Sequence, residues 1–402
     1  MEPSETALAR HLLDELLPYW AERGVDRRHG GFHNRLDAAG RPLPDGSKRL
    51  LVQTRLVYAF SEGARLGAGA WALARAAEGV EFVERAFRDR AHGGFFHTAT
   101  TEGAPLDRRK DCYGHAFAVF ALAHYGAAAG DAAALAAARE TAALALERLR
   151  DRAHGGYAEA ADAAWRPLGE LPRRQNPHMH WVEALLALHA AAPDAALAEE
   201  VGRLVALLRA RFVDAARGCL REFFAADWTP APPPAGDLAE PGHHYEWSWL
   251  LARARAAIPG LDAGDVAERL FAFAERHGVD ADGLAFDQVD VDGRVVAASK
   301  RLWPQTERWK ALAARGESAR LREALRAAFA RYARPDGGWR EHLDAGGRPL
   351  VEHQNATSVY HVVLALREAR VCLAAPAGAR AAGAAGARGG GAGAPGARGG
   401  PA

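Results

Sequence analysis

The chain has 402 residues, long enough for one large domain or two ordinary ones, with about half of it apolar and a quarter charged. Its formal net charge is +1 with acids and bases interspersed, which announces no basic face for nucleic acid. Cys112, Cys219 and Cys372 are too few and too scattered for a disulfide framework or a cysteine metal site, and no apolar run approaches the roughly 18 residues a membrane span needs.

The first segment, near residues 5–22, is helical text, and its acidic start lacks the apolar core of a signal sequence. The expectation is a cytoplasmic protein with no membrane or nucleic-acid partner; a homodimer is compatible with the sequence. Gly30-Gly31-Phe32 then opens a repeat. The same signal returns at Gly93-Gly94-Phe95, Gly155-Gly156-Tyr157, Gly218, Gly283 and Gly337-Gly338-Trp339, at intervals of about 62 residues with one near 54.

Between these marks lie two helical segments each, rich in Ala, Leu, Arg and Glu, with apolar residues three and four apart, as in Leu197-Val201-Leu204-Leu208. Turns such as Gly130-Asp131 and Pro259-Gly260 separate them. Each glycine pair is expected to close the second helix at positive φ, and a small β-hairpin to follow it. Twelve helices in six pairs result. They either stack as an open solenoid or close into an inner and an outer ring of six; small residues and polar groups on the segments after each hairpin favour the closed all-α (α/α)6 barrel. This catalytic domain is expected to span residues 1–373, and the Ala/Gly/Pro/Arg-rich stretch 374–402 to be a disordered tail.

Chemically capable residues fall in phase with the repeat. Arg55, Tyr113, His180, His243, Glu307 and His361 lie 24, 19, 24, 25, 24 and 23 residues after their glycine marks. Each sits at the start of an expected inner helix, so six parallel helices around one axis bring them to one end. Pro177, Pro241 and Pro304 mark three of those helix starts. Asn176, His180 and Glu183 share a helical face, and Glu246 stands three residues after His243, where a carboxylate fixes an imidazole tautomer or binds a hydroxyl. Taken singly, each has a plainer reading: Asn176 as an N-cap, His180 as a core histidine, Arg55 and Glu307 as a buried ion pair, Trp249 and Trp303 as core aromatics. His178 and His244 point away if their neighbours point inward, and read as structural.

Metal is not required, since no His-Glu-x-x-His spacing occurs, and no Walker loop, dinucleotide fingerprint or nucleophile elbow supports a cofactor. A mouth lined by His, Glu, Arg, Asn, Trp and Tyr suits a monosaccharide. Paired carboxylates, Glu246 and Glu307, would suit glycoside cleavage; paired histidines, His243 and His361, suit proton transfer beside a carbonyl. A catalytically silent sugar-binding protein is the remaining class.

The strings Arg174-Gln175-Asn176-Pro177-His178-Met179-His180-Trp181-Val182-Glu183, Pro241-Gly242-His243-His244-Tyr245-Glu246-Trp247, Arg301-Leu302-Trp303-Pro304-Gln305-Thr306-Glu307 and Val359-Tyr360-His361 resemble the N-acylglucosamine 2-epimerase superfamily. The resemblance runs from about residue 10 to residue 372. It implies an (α/α)6 barrel and metal-free, cofactor-free proton transfer through a cis-enediol(ate). It implies His243 and His361 as the acid/base pair and Arg55 on the oxygens at C1 and C2. Asn176, His180, Glu246 and Glu307 would surround the open-chain sugar, and Trp303, Trp249 and Tyr113 would line it. The Trp303 and His243 motifs look closer to the mannose isomerase or mannose-6-phosphate isomerase branch than to the cellobiose branch, which implies mannose to fructose, with the phosphorylated sugar or 2-epimerisation as alternatives. Ser47-Lys48-Arg49, Arg173-Arg174 and Lys300-Arg301 precede inner helices as candidate phosphate donors or solvated rim charges.

Overall fold

The computed structural model describes residues 2–169 and 172–375, so the stretch expected to form a tail lies almost wholly outside the described residues. Among the described residues there are twelve helices. They are α1 (residues 5–23, widened by a π turn), α2 (Leu50–Gly63), α3 (Ala70–Ala86), α4 (Cys112–Ala129), α5 (Ala132–Leu149), α6 (Asn176–Ala191), α7 (Ala195–Leu207), α8 (Pro241–Ala257), α9 (Val266–His277), α10 (Leu302–Ala314), α11 (Ser318–Tyr332) and α12 (Ala356–Ala374). None is long and apolar enough to cross a membrane.

Even-numbered helices form the inner ring. Each packs on the next, and α12 returns to α2, so the barrel is closed and the solenoid alternative is excluded. Burial explains the sorting. In α2 every residue but Leu51 is buried, whereas α9 buries a stripe through Val266, Leu270, Phe273 and Ala274 and turns its charged face outward. Aspartates start several helices: Asp131 accepts from the Ala133 and Ala134 N–H groups, and Asp111 from that of Gly114.

The glycines do a different job from the one expected. The outer helices end at Arg23, Ala86 and Leu149, six or seven residues before the pairs at 30, 93 and 155. Gly30 and Gly31, at φ +84° and +70°, instead close a turn in which the Asp26 N–H donates to the Gly31 carbonyl. A Cβ at Gly31 would stand 2.5 Å from the Gln53 amide oxygen, and that approach is the reason for glycine. The next backbone N–H, from Phe32, donates to Gln53 Oε1 at 2.7 Å.

All six units repeat this hydrogen bond between the turn and an inner helix or, in the last unit, the short strand that leads into it. Phe95 donates to His115, Tyr157 to His178, Leu220 to His244, Ala285 to Gln305 and Trp339 to Gln354, at 2.7–3.2 Å. The three histidines accept at Nε2 while Nδ1–H donates to the carbonyl four residues earlier. Burial lowers their pKa values to about 4, 3 and 4, so they stay neutral. His178 and His244 are structural, as their phase implied.

Short strands tie the units together. The hairpins are present, as where Thr98–Thr100 meets Pro105–Asp107. In addition the strand before each inner helix pairs antiparallel with the strand after the following outer helix: Ser47–Arg49 with Thr98–Thr100, Arg173–Arg174 with Phe223–Phe224, Lys300–Arg301 with His342–Leu343. The last pairing, Arg35–Leu36 with Gln354–Asn355, joins the two ends of the chain and locks the ring.

Candidate active site

Because every inner helix runs in the same direction, their N-termini share one mouth. There a cavity of about 300 Å³ is lined by Arg55, Tyr113, Asn176, His180, His243, Glu246, Trp303 and His361, with Arg174, Glu222, Phe223, Glu240 and Arg301 at its edge. Eight of the ten residues expected at the site therefore meet in one place. Glu307 is not on the wall: it lies fully buried behind His361. Trp249 lines a separate cavity toward the other ends of the helices, with Phe120 and Leu364. A plug of rings closes the barrel between the two, with Tyr58 4.7 Å from Phe120 and 5.5 Å from Tyr360.

Trp303 spans the two histidines, its ring centroid 4.9 Å from His243 and 5.8 Å from His361. Gly242 permits this, since a Cβ there would run into the indole. His243 Nδ1 lies 2.8 Å from Glu222 Oε2, and Glu240 stands 3.8 Å away. Burial alone would lower the His243 pKa, but the carboxylates of Glu222 first, then Glu240 and Glu246, together outweigh it and raise it to about 9. The Asn176 amide lies 2.8 Å from Nε2; it donates to the neutral ring and, turned over, accepts from the protonated one.

His361 is held differently. Its Nδ1 lies 2.8 Å from Glu307 Oε1. Burial, with Arg55 and Lys310 nearby, lowers its pKa well below the usual value, so the ring is neutral. His180 is neutral too, at about 3, because it is buried; its Nδ1 contacts Glu183 at 3.0 Å, and Glu183 also accepts from the Tyr360 hydroxyl at 2.6 Å. Arg55 donates to the Tyr113 hydroxyl at 2.7 Å and to the Thr357 carbonyl at 3.2 Å, its guanidinium 4.3 Å from the Phe117 ring centre. Arg55 Nε and Asn176 Oδ1 are buried at this site with no hydrogen-bond partner within the protein.

Three local expectations change. Glu222, not Glu246, meets the His243 Nδ1 edge, because Glu246 lies a turn deeper on α8. Arg55 and Glu307 form no ion pair; Glu307 takes Lys310 from its own helix at 2.5 Å. Of the basic strings, Lys48 and Lys300 are buried on Asp26 and Asp280 at 2.8 Å, and Arg173 is held by Asp151, so these three are neither phosphate donors nor solvated. Arg174 and Arg301 do reach the cavity, but Arg174 is clamped by Glu159, and Arg301 by Asp287 and Glu240.

Glu222 escaped attention because it stands between two short strands, Cys219–Leu220 and Phe223–Phe224, where the phase of the helices gives no guide. It has a phase of its own. Asn34, Glu159, Glu222, Asp287 and Glu341 each follow the turn N–H described above by two residues, and each accepts the backbone N–H of a residue just before an inner helix. Glu222 adds His243 to that structural role. Among the described residues, donor atoms of His180, Glu183 and Glu246, and of Glu246, Glu307 and His361, lie within 4.8 Å of one another and could share a cation. The second set already encloses Lys310, 3.6 Å from Glu246.

Comparison with known proteins follows the same lines. The family model described as N-acylglucosamine 2-epimerase matches residues 30–365. The mannose-6-phosphate isomerase of Rhizobium meliloti (strain 1021) is 36% identical over 387 residues, covering 91% of this chain and 96% of that protein. The D-mannose isomerase of Thermobifida fusca is 30% identical over 295 residues, 70% of this chain and 72% of its own. The solved cellobiose 2-epimerase of Spirochaeta thermophila DSM 6192 superposes with a TM-score of 0.82 at 28% identity, covering 92% of this chain and 96% of that one.

Proposed function

Since the chain belongs to the N-acylglucosamine 2-epimerase family and is an isomerase or epimerase of sugars, we propose that it interconverts mannose and fructose, using His361 as base and His243 as acid. The observation that carries this reading is one cavity flanked by two histidines with opposite protonation, one near 9 and one well below the usual value. Environments that push two titratable groups apart assign the acid and the base.

Open-chain mannose lies across Trp303 with its carbonyl toward Arg55. His361 Nε2 takes the C2 proton, the C–H pair becomes the C1=C2 bond, and O1 receives the His243 proton, giving a cis-enediol. His243 then takes the O2 proton while His361, having exchanged its proton with solvent, delivers one to C1, leaving fructose and both histidines as they began. Epimerisation shares the first half and differs in where the proton returns. The names of two relatives, both isomerases of mannose or its phosphate, favour the ketose outcome.

Arg174 and Arg301 at the mouth, together with the Rhizobium relative's name, favour mannose 6-phosphate as a second reading. Their clamping by Glu159, Asp287 and Glu240 supports the uncharged sugar, since those carboxylates occupy the guanidinium donors and repel a phosphate. Incubation with mannose, mannose 6-phosphate or cellobiose in D₂O with EDTA, followed by NMR, tests this. Fructose labelled with deuterium at C1 is the expected product; conversion of only the phosphate ester or the disaccharide would replace the assignment.

A further inference from the structure

Three carboxylates lie at the floor of the cavity or beneath it, Glu246, Glu183 and Glu307, with exposures of 1%, 4% and 0%, and one ammonium among them, Lys310, is also at 0%. A carboxylate at such depth needs a partner charge to stay ionised. Lys310 Nζ stands 2.5 Å from Glu307 and 3.6 Å from Glu246, and the Trp249 ring covers it at 4.1 Å. That contact gives Trp249 a place, as the far wall of the lysine's site. The other Glu307 oxygen meets His361 Nδ1 at 2.8 Å, so Lys310, Glu307 and His361 form one chain ending at the cavity.

We propose that Lys310 is a positioning residue for proton transfer: it keeps Glu307 a carboxylate, which accepts Nδ1–H of His361 and leaves Nε2 bare toward the sugar. This rests on the reading of His361 as the base. With Glu307 protonated, its O–H donates to Nδ1, the ring proton moves to Nε2, and the atom that takes the C2 proton is blocked. Burial, Glu246 and Glu183 together push the Glu307 carboxyl well above the usual carboxylate value, and Lys310, 2.5 Å away, is the group that opposes them. Around His361 stand Arg55 on α2, His180 and Glu183 on α6, His243 and Glu246 on α8, and Glu307 and Lys310 on α10, with Tyr360 beside it.

The test is Lys310→Met, read in two ways. With [¹⁵N]histidine-labelled protein, and His361→Asn to assign the signal, His361 is expected to be protonated at Nδ1 in the parent and at Nε2 in the variant. This readout stands whatever the substrate proves to be, so its failure is distinct from failure of the mannose assignment. In turnover, kcat is expected to fall about 10²-fold or more with KM nearly unchanged, and to recover as rising pH ionises Glu307. An unchanged tautomer, or a kcat within about threefold of the parent, overturns the proposal. Should Lys310→Met fail to fold, Lys310→Met with Glu307→Gln removes both charges. That pair is expected to match Glu307→Gln alone in kcat, and a further loss in the pair contradicts action through Glu307.

Discussion

His243 and His244 are neighbours in the chain, both buried, and opposite in behaviour. His244 gives its Nδ1 proton to a backbone carbonyl, accepts a backbone N–H, and sits near pKa 4. His243 meets the carboxylate of Glu222 and sits near 9. His178 and His180, two residues apart on α6, differ likewise in partner, backbone groups for one and the Glu183 carboxylate for the other, although burial lowers both to about 3. Burial is common to all four. What differs is helical phase, which turns one ring outward to the glycine turn and the other inward to the cavity, and the partner each ring then finds.

The sharpest way to break this comparison is to remove one ring from each set. His361→Asn or His243→Asn is expected to lower turnover by about 10²–10⁴ in a protein that still folds. Activity near the parent's in either variant would contradict their roles. A smaller effect comes from Glu222→Gln. In the proposed role of acid, His243 supports activity below its pKa and loses it as pH rises through about 9, so without the Glu222 charge the alkaline limb of kcat/KM is expected to move to lower pH. At pH 8 the rate should fall about tenfold for each unit of that displacement beyond the assay pH. The stability linkage has the same sign: a pKa raised from 6.5 to about 9 adds stability that is full below 6.5 and lost as pH rises through 9.

The outward set has the opposite dependence. A pKa lowered from 6.5 to about 4 makes the His244 contribution full above 6.5 and lost as pH falls through 4. His244→Asn is too short to reach the Leu220 N–H and should cost about 1–3 kcal/mol, measured by denaturant, while sparing turnover. His244→Gln should have the smallest effect of all, because Gln53 and Gln305 accept the same turn N–H in other units. It is expected to keep neutral-pH stability and shift the acid-unfolding midpoint downward; a loss as large as that of Asn would show that the two side chains are not equivalent here.

Much of this was legible because the fold is written six times. Glycine turns and helical text recur at one spacing, and residues of like phase reach one end of a ring whose inner helices are parallel. The failures mark where that logic stops. Trp249 stands six residues after His243, about 9 Å farther down the helix, so it passes beyond the aromatic plug. Glu307 shares the phase of the wall residues but is drawn behind His361 by Lys310, a contact within its own helix that spacing from the glycine mark does not register. Glu222 sits just before the strand Phe223–Phe224, where a fixed two-residue offset from the turn N–H governs instead. Charge pairing hid the meaning of the basic strings: Lys48, Arg173 and Lys300 hold the aspartates of the glycine turns.

The claim that phase divides structural from catalytic histidines is tested most directly by the washout of the C2 proton of mannose in D₂O, followed by NMR for the parent, His361→Asn and His244→Gln together. The parent and His244→Gln are expected to exchange at similar rates and to form C1-deuterated fructose, while His361→Asn exchanges at least about 10²-fold more slowly. Exchange by His361→Asn at the parent's rate would contradict the account.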